Sequence, residues 1–364
     1  IRPATISARR NCPFKSRVSA KPSRLRVLTT RDKNVTEMQT REYQSGDYGV
    51  NNVLISALGG VSFKTLSSKY SIKLLHLQNG ESKAGIFDFI NADQGAEFYG
   101  FQHNLEYSQR SLTNLYIGAK YNLAKSKWKI DWKVSPTYSS ILEPDIRFTR
   151  YEDKEGVWSI STESGFPERI WRELSEVNIV TAGNAKKEVS LFKNKGNIKF
   201  GYAYTYKQRD FNVRSFQINV REIPLTGDPN ELFAEENIWP YNNNISTGTT
   251  FETSFNPSNP NQFNSNIQNI GAYASSEFNA STWLKTIVGL RMEHYTHRYT
   301  GQNQLGTKVL TNDVVHQNLR MIQSINMVAS LSKKQNIRFS YGKTIARPSF
   351  KELSYAEIFD PVTG

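Results

Sequence analysis

From about residue 45 onward, apolar and polar positions alternate with a period of two, which predicts strands with one apolar and one polar face. The stretch WKIDWKV from Trp128 sets Trp128, Ile130, Trp132 and Val134 against Lys129, Asp131 and Lys133. IKFGYAYTYK from Ile198 sets Ile198, Phe200, Tyr202, Tyr204 and Tyr206 against Lys199, Gly201, Ala203, Thr205 and Lys207. Leu284, Val288, Leu290 and Met292 oppose Lys285, Gly289, Arg291 and Glu293, and Ile337, Phe339 and Tyr341 oppose Arg338, Ser340 and Gly342. Between Tyr99 and Tyr121 one parity holds without a slip through Tyr99, Phe101, Leu105, Tyr107, Leu115, Ile117, Ala119 and Tyr121. Soluble strands run to about 5–6 residues, whereas a bilayer crossing takes ~9–11 tilted ones. A strand of this length crosses and continues beyond.

The predicted connections alternate in length. Short turns fall near 67–69, 124–126, 193–196, 280–281 and 333–336, and long loops near 81–96, 140–173, 221–266, 300–316 and from 347 onward. Outer-membrane barrels have this rhythm, with short periplasmic turns and longer extracellular loops. The reading is an all-β, antiparallel transmembrane barrel of ten strands between about 45 and 346, with room for an eleventh before them. Trp128, Ile130, Trp132, Phe200, Tyr202, Tyr204, Leu290 and Phe339 are expected to face lipid.

Composition changes this picture little. The chain of 364 residues is 38% hydrophobic with a mean hydropathy of −0.56, and contains no apolar run long enough for a transmembrane helix. Alternating barrel strands average out as polar, so that profile suits them. Aromatic residues reach 12%. The lone cysteine, Cys12, excludes an internal disulfide and a multi-cysteine metal site. The formal charge of +13 is uneven: residues 1–31 carry nine Lys or Arg and no acid, and the remainder holds 37 basic against 33 acidic residues. Residues 1–44 therefore form a basic, unassigned segment, a disordered arm or a gene-calling artefact with room for one strand. Residues 45–364 form the barrel. The start lacks the apolar core of a signal peptide, and the chain reads as a mid-barrel fragment. No nucleic-acid-binding module follows the basic start.

Several motifs, in order, resemble the barrels of TonB-dependent outer-membrane receptors, particularly those of the Bacteroidetes group. They are SQRSLTNLYIGAKY (108–121), EPDIRF (143–148), RIWREL (169–174), GLRMEHY (289–295) and ARPSFKEL (346–353). In the last, Arg347, Pro348, Phe350 and Glu352 match the family pattern, whereas Ser349 replaces a glutamate and Lys351 an arginine. The resemblance implies part of a 22-strand barrel closed around an N-terminal plug. It also implies a TonB energy-coupling partner reached through a plug domain absent from this sequence, and a scarce nutrient ligand. As a fragment, the sheet is expected to be open at both edges, because closure belongs to the larger barrel.

Candidate chemistry falls in three places. Lys129, Asp131, Lys133, Lys199, Arg291, Glu293 and Arg338 are expected to line the lumen, contacting plug or substrate, or simply water and one another. Phe233, Trp239 and Tyr241, in a loop rich in Asn, Thr and Ser, could stack sugars or grip a chelate, or pack together. Arg147, Arg150 and Arg172 could bind anionic ligands or lipopolysaccharide phosphates, or pair with Asp145, Glu152 or Glu173. No catalytic, metal or cofactor site is expected. His294 and His297, three apart, fall on opposite strand faces, and no hydrolase or phosphate-binding motif occurs.

The leading reading is an energy-coupled transporter in the outer membrane, in contact with its lipid and lipopolysaccharide. A passive porin or structural barrel also fits the alternation. A secreted β-rich adhesin and an outer-membrane hydrolase are further alternatives. Strict parity along the strand from Ile337 would put Arg347 on the same outward face as Phe339 and Tyr341, near the outer interface. A bulge would instead turn it into the lumen.

Overall fold

The computed structural model describes residues 5–10, 14–18, 26–30, 39–91, 98–160, 165–191, 194–239, 247–254, 259–332 and 334–356. The strands are β1 (Thr5–Arg10), β2 (Phe14–Val18), β3 (Arg26–Thr30), β4 (Gln39–Lys64), β5 (Ser68–Asn91), β6 (Phe98–Leu123), β7 (Trp128–Lys154), β8 (Val157–Ser159), β9 (Glu168–Leu191), β10 (Asn194–Arg221), β11 (Gly248–Thr253), β12 (Phe263–Asn279), β13 (Leu284–Gln302), β14 (Val309–Ser332) and β15 (Gln335–Gly342). All join one sheet, and every strand pairing is antiparallel. The ten expected strands are β4, β5, β6, β7, β9, β10, β12, β13, β14 and β15, which follow one another as a meander. β1, β2 and β3 lie along the outer edge of β4. Among the described residues β15 pairs only with β14, so the sheet is not closed.

The register fixes the two faces. Directly paired residues in an antiparallel sheet share a face. Trp132 pairs with Gly183, Gly183 with Tyr202, Tyr202 with Ala272, Ala272 with Met292 and Met292 with Met321. The same face takes Trp128, Ile130, Phe200, Tyr204 and Leu290 from these strands, and Phe339 through its partner Met327. Its large side chains are exposed: Phe200, Tyr202, Ile270, Leu290, Met292, Leu319 and Phe339 all lie open. The expected apolar face is therefore one continuous surface. On the opposite face Asp131, Asn184, Gly201, Tyr273 and Arg291 form a line, and Lys133, Ala182, Ala203, Gly271, Glu293 and Arg320 the next. Two glycines let aromatic rings lie flat on the sheet. Tyr202 covers Gly183, and Tyr273 covers Gly201, where a Cβ would collide with each ring.

The apolar face has a sharp upper limit. The row Tyr204, Ile270, His294 and Leu319 is followed by Tyr206, Gln268, Thr296 and Gln317, then by Gln208, Asn266 and Arg298. At ~3.3 Å per residue and a tilt of about 40°, the stretch from Thr286 to His294 rises roughly 20 Å, close to the ~25 Å apolar band of outer-membrane barrels. Below it the chain turns tightly, at 65–67, 124–127 and 280–283, and Leu191 pairs directly with Asn194 and Ser332 with Gln335. Above it the strands continue as far again.

That continuation corrects the predicted loops. Residues 81–91 belong to β5, 140–154 to β7, 168–173 to β9, 300–302 to β13 and 309–316 to β14. Alternation fades there because both faces carry polar and charged residues, yet the backbone ladder persists. EPDIRF is a strand segment with a bulge between Glu143 and Ile146, where Asp145 takes φ 57°; an aspartate tolerates that left-handed conformation better than most side chains. The buried cluster also sits at this height, on the polar face, built from Ile146, Ile170, Phe211, Val213, Phe263 and Tyr299, with Leu174, Tyr355 and Ala356 against it.

Candidate functional site on the polar face

The site centres on the chain after β15. The ladder stops at Gly342, one backbone bond from Lys343 N to Gln323 O follows, and residues 343–349 carry no strand. Pro348 has no N–H to donate, and the segment crosses over the polar face of β13, β12 and β10. There it packs against protein rather than standing off the sheet.

Arg347 is held there by Glu293. Its Nη2 lies 2.5 Å from Glu293 Oε2, while Arg291 Nε lies 2.5 Å from Oε1 of the same carboxylate. The Arg347 guanidinium also covers the Tyr295 ring at 4.8 Å. One buried carboxylate thus joins two arginines, one from the strand and one from the segment. This overturns the outer-interface placement of Arg347. Parity cannot be carried past Gly342, because the backbone has left the ladder and is free to turn the side chain over.

Phe350 is the second anchor. It is 4% exposed, edge-on to His297 at 5.1 Å and under the Arg209 guanidinium at 4.8 Å. Such a cation–π contact contributes about 0.5–2 kcal/mol, more as it is desolvated. Glu352 closes the turn that follows by accepting from Ser349 N at 2.5 Å. That backbone bond, with a weaker one from the Ser349 hydroxyl, holds the Glu352 carboxyl below the usual glutamate range. Beyond it, Tyr355 meets Tyr299 edge-on.

The other polar-face residues form local networks. Lys129 pairs with Glu188 at 3.0 Å. Asn184 donates to Asp131 at 2.8 Å and accepts from Tyr273 OH, and Lys199 lies over the Tyr273 ring at 5.5 Å. Lys133 and Arg338 share this face, Lys133 opposite Ala182 and Arg338 opposite Val328. Higher up, Arg172 pairs with Glu143 at 2.7 Å, and Arg209 with Glu176 at 2.6 Å. Arg150 donates to Gln102 and lies over Phe148 and Phe89.

Arg147 belongs to a different place. With Arg169 it holds Asp145, at 2.8 and 2.7 Å, and both guanidiniums lie over Phe233. This cluster is on the face opposite Ile146 and Ile170. Arg147 and Phe233 are thus brought together, whereas Arg150 and Arg172 are on the other side of the sheet. Trp239 is 38% exposed at the end of the same loop, its N–H bonded to Thr249 O. Tyr241 lies outside the described residues.

Sequence reasoning missed Glu231, whose carboxylate accepts from Thr226 N, Thr226 Oγ1, Gly227 N and Tyr151 OH and so organises the loop from 222 to 239. It also passed over Arg209, and it weighed His297 only as one of two histidines on opposite strand faces. His297 is fully buried and its Nε2 lies 2.8 Å from Ser265 Oγ. His294 is exposed on the apolar face. No metal-ligating cluster occurs among the described residues.

No curated protein matches the chain. Among solved structures, the ferric citrate transporter FecA in its unliganded form aligns at 8% identity, over 82% of this chain and 43% of that one, with a TM-score of 0.42. The ferric-catecholate import receptor Fiu from E. coli K12 aligns in its closed form at 9% identity, over 83% and 49%, TM-score 0.39. Its open form aligns at 8%, over 83% and 54%, TM-score 0.38. The chain spans about half the length of these solved structures. The model of the family described as TonB dependent receptor-like, beta-barrel matches residues 43–364. The chain belongs to that family of TonB-dependent receptor-like β-barrels.

Proposed function

We propose that this chain forms part of an energised transport receptor in the outer membrane. The receptor takes up a scarce solute from outside and passes it to the periplasm with energy delivered through TonB. The observation that carries the proposal is the family match across 43–364. The sheet's physical division supports it: an apolar band suited to lipid on one face, and a face of paired charges suited to a water-filled lumen on the other. On this reading Lys129, Asp131, Lys133, Lys199, Arg291, Glu293 and Arg338 line the lumen. Arg150 and Arg172 lie above the membrane on that same face, near the path of an incoming solute. Arg147 and Phe233 instead brace an outer loop, and Trp239 and Tyr241 remain candidates for first contact with a ligand. The chemistry is transport; no residue is assigned a catalytic role.

The test is growth and uptake in the native bacterium on single limiting nutrients, with the gene deleted and with TonB deleted. The proposal predicts one nutrient whose high-affinity uptake falls at least about tenfold in both strains. Uptake that persists without TonB would identify a passive channel instead.

A further inference from the structure

At the upper ends of β4 to β8 the outward side of the sheet holds a cleft of about 300 Å³, walled by aromatic rings and carboxylates. Three lateral rows build it. Tyr43, Ile90 and Tyr99 are partners across β4, β5 and β6, Asp88 stands opposite Phe101, and Asp153 stands opposite Trp158. Ile72 of β5 shares the face of Tyr204 through Ile117, Val134 and Thr181. Asp88 has the parity of Ile72, so the cleft faces away from the lumen.

Its rings are fixed before anything binds. Phe101 stacks on Tyr151 at 5.1 Å and meets Trp158 edge-on at 4.6 Å, and Gly227 lies against both Phe101 and Trp158. Tyr43 and Tyr99 stand open, at 37% and 54% exposure. Both carboxylates are exposed as well. Asp153 uses one oxygen to accept from Gly156 N at 2.7 Å, whereas Asp88 has no hydrogen bond or ion pair among the described residues. No Lys or Arg lines the cleft, and Arg150, over Phe89, is on the other side of the sheet.

This lining selects a positive charge. The face of an aromatic ring attracts a cation, most strongly one that sheds water easily, and a carboxylate beside it adds charge attraction. An anion would meet two like charges. A neutral sugar would find no Asn, Gln, Ser or Thr in the lining. Height excludes a phospholipid headgroup as the source. On β5 the outward row runs Ile72 and Leu74, then His76, Gln78, Gly80 and Ser82, so the apolar band ends at Leu74. Asp88 lies roughly 35 Å beyond Leu74 at ~3.3 Å per residue and about 40° of tilt, whereas the polar layer of a leaflet is only about 5–8 Å thick. We propose that this cleft binds an organic cation from the medium, an alkylammonium or guanidinium group held against Tyr99 and Phe101 and paired with Asp88. Only the exclusion of lipid rests on the membrane placement proposed above.

The test is titration calorimetry on the full-length receptor in detergent micelles. The probes are tetramethylammonium, capped arginine, a peptide rich in Lys and Arg, maltotriose, and tert-butanol as an uncharged group of similar size. Both cations should bind at one site, and tert-butanol at least about tenfold more weakly. Asp88→Asn and Tyr99→Leu should each weaken the cations at least about tenfold, and Asp88→Glu should restore most of the affinity. Both positions are exposed, and mobility on unboiled gels verifies that each variant is folded. A peptide that binds at least about tenfold tighter than capped arginine supports a basic protein as the source, and equal binding supports a free solute. Equal affinity for tert-butanol, unchanged affinity in both folded variants, or tighter binding of maltotriose than of either cation would overturn the proposal. Uptake is not measured, so that failure would leave the transport reading in place.

Discussion

Glu293 accepts from two arginines at once, and that asymmetry makes it the most sensitive residue of the polar face. Arg347→Ala leaves the carboxylate with Arg291. Glu293→Ala leaves two guanidiniums facing each other without an anion. Removing one member of a buried charged set costs more than the net value of the bond, because the remaining charge stays desolvated. Glu293→Ala should therefore destabilise the segment by about 1–3 kcal/mol more than Arg347→Ala, read as faster limited proteolysis between 343 and 356. Glu352 gives a pH signature in the same segment. Its folded pKa is lowered by the Ser349 N–H and hydroxyl, so its contribution is complete above the unfolded value of about 4.3. That contribution disappears as the pH falls through the lowered folded value. A spin label at Lys351→Cys should keep its mobility as the pH falls from neutral to the unfolded glutamate value and loosen only below it. With Glu352→Gln it should be loose throughout, with no pH step. The sequence made Arg291 and Glu293 legible as polar-face neighbours, because both sit inside a regular ladder. It could not place Arg347, because side-chain parity has no meaning after Gly342.

At the level of elements, the segments that were hardest to read are held by side chains rather than by periodicity. The stretch from 222 to 239 folds over Phe101, Tyr151 and Trp158, and Glu231 collects its backbone donors. Burial keeps Tyr151 OH protonated well above the ordinary tyrosine range, so it serves as a donor to Glu231 and to Asp228 O. Glu231→Ala should free this loop and raise its cleavage by added protease at least about fivefold. Tyr151→Phe, which removes one neutral donor, should cost only about 1 kcal/mol. The short turns were legible because charged and small residues interrupt the alternation at each one. The upper strand ends were not. Above the lipid, β7, β9 and β10 carry Arg, Glu and aromatic residues on both faces, so the pattern resembles a loop although the hydrogen-bond ladder continues.

For the whole molecule, the account rests on one sheet with two unlike faces. A charge introduced into the apolar band should therefore cost far more than the same charge above it. Leu290→Arg places a cation near mid-band, where about 2–4 kcal/mol is expected, and should reduce the amount of folded receptor in the outer membrane. Gln208→Arg has the same parity but lies beyond the band, beside the polar row of Asn266 and Arg298, and should be tolerated. The fold was read from alternation because the apolar face recurs at the same parity on successive strands of the ladder. The pairing of charges across the polar face was not, since it depends on which strands are neighbours.

The most direct measurement is cysteine accessibility along β13 in intact outer membranes, with Cys12, the one cysteine of this sequence, and any other cysteine of the receptor replaced by serine. Single cysteines at Val288, Leu290 and Met292 should react with a lipid-soluble maleimide and resist a charged, water-soluble one. Cysteines at Gly289, Arg291 and Glu293 should show the reverse preference wherever the lumen admits the reagent. Alternating reactivity of this kind is the result the account predicts. Uniform reaction of all six with the water-soluble reagent, or a reversed alternation, would contradict it.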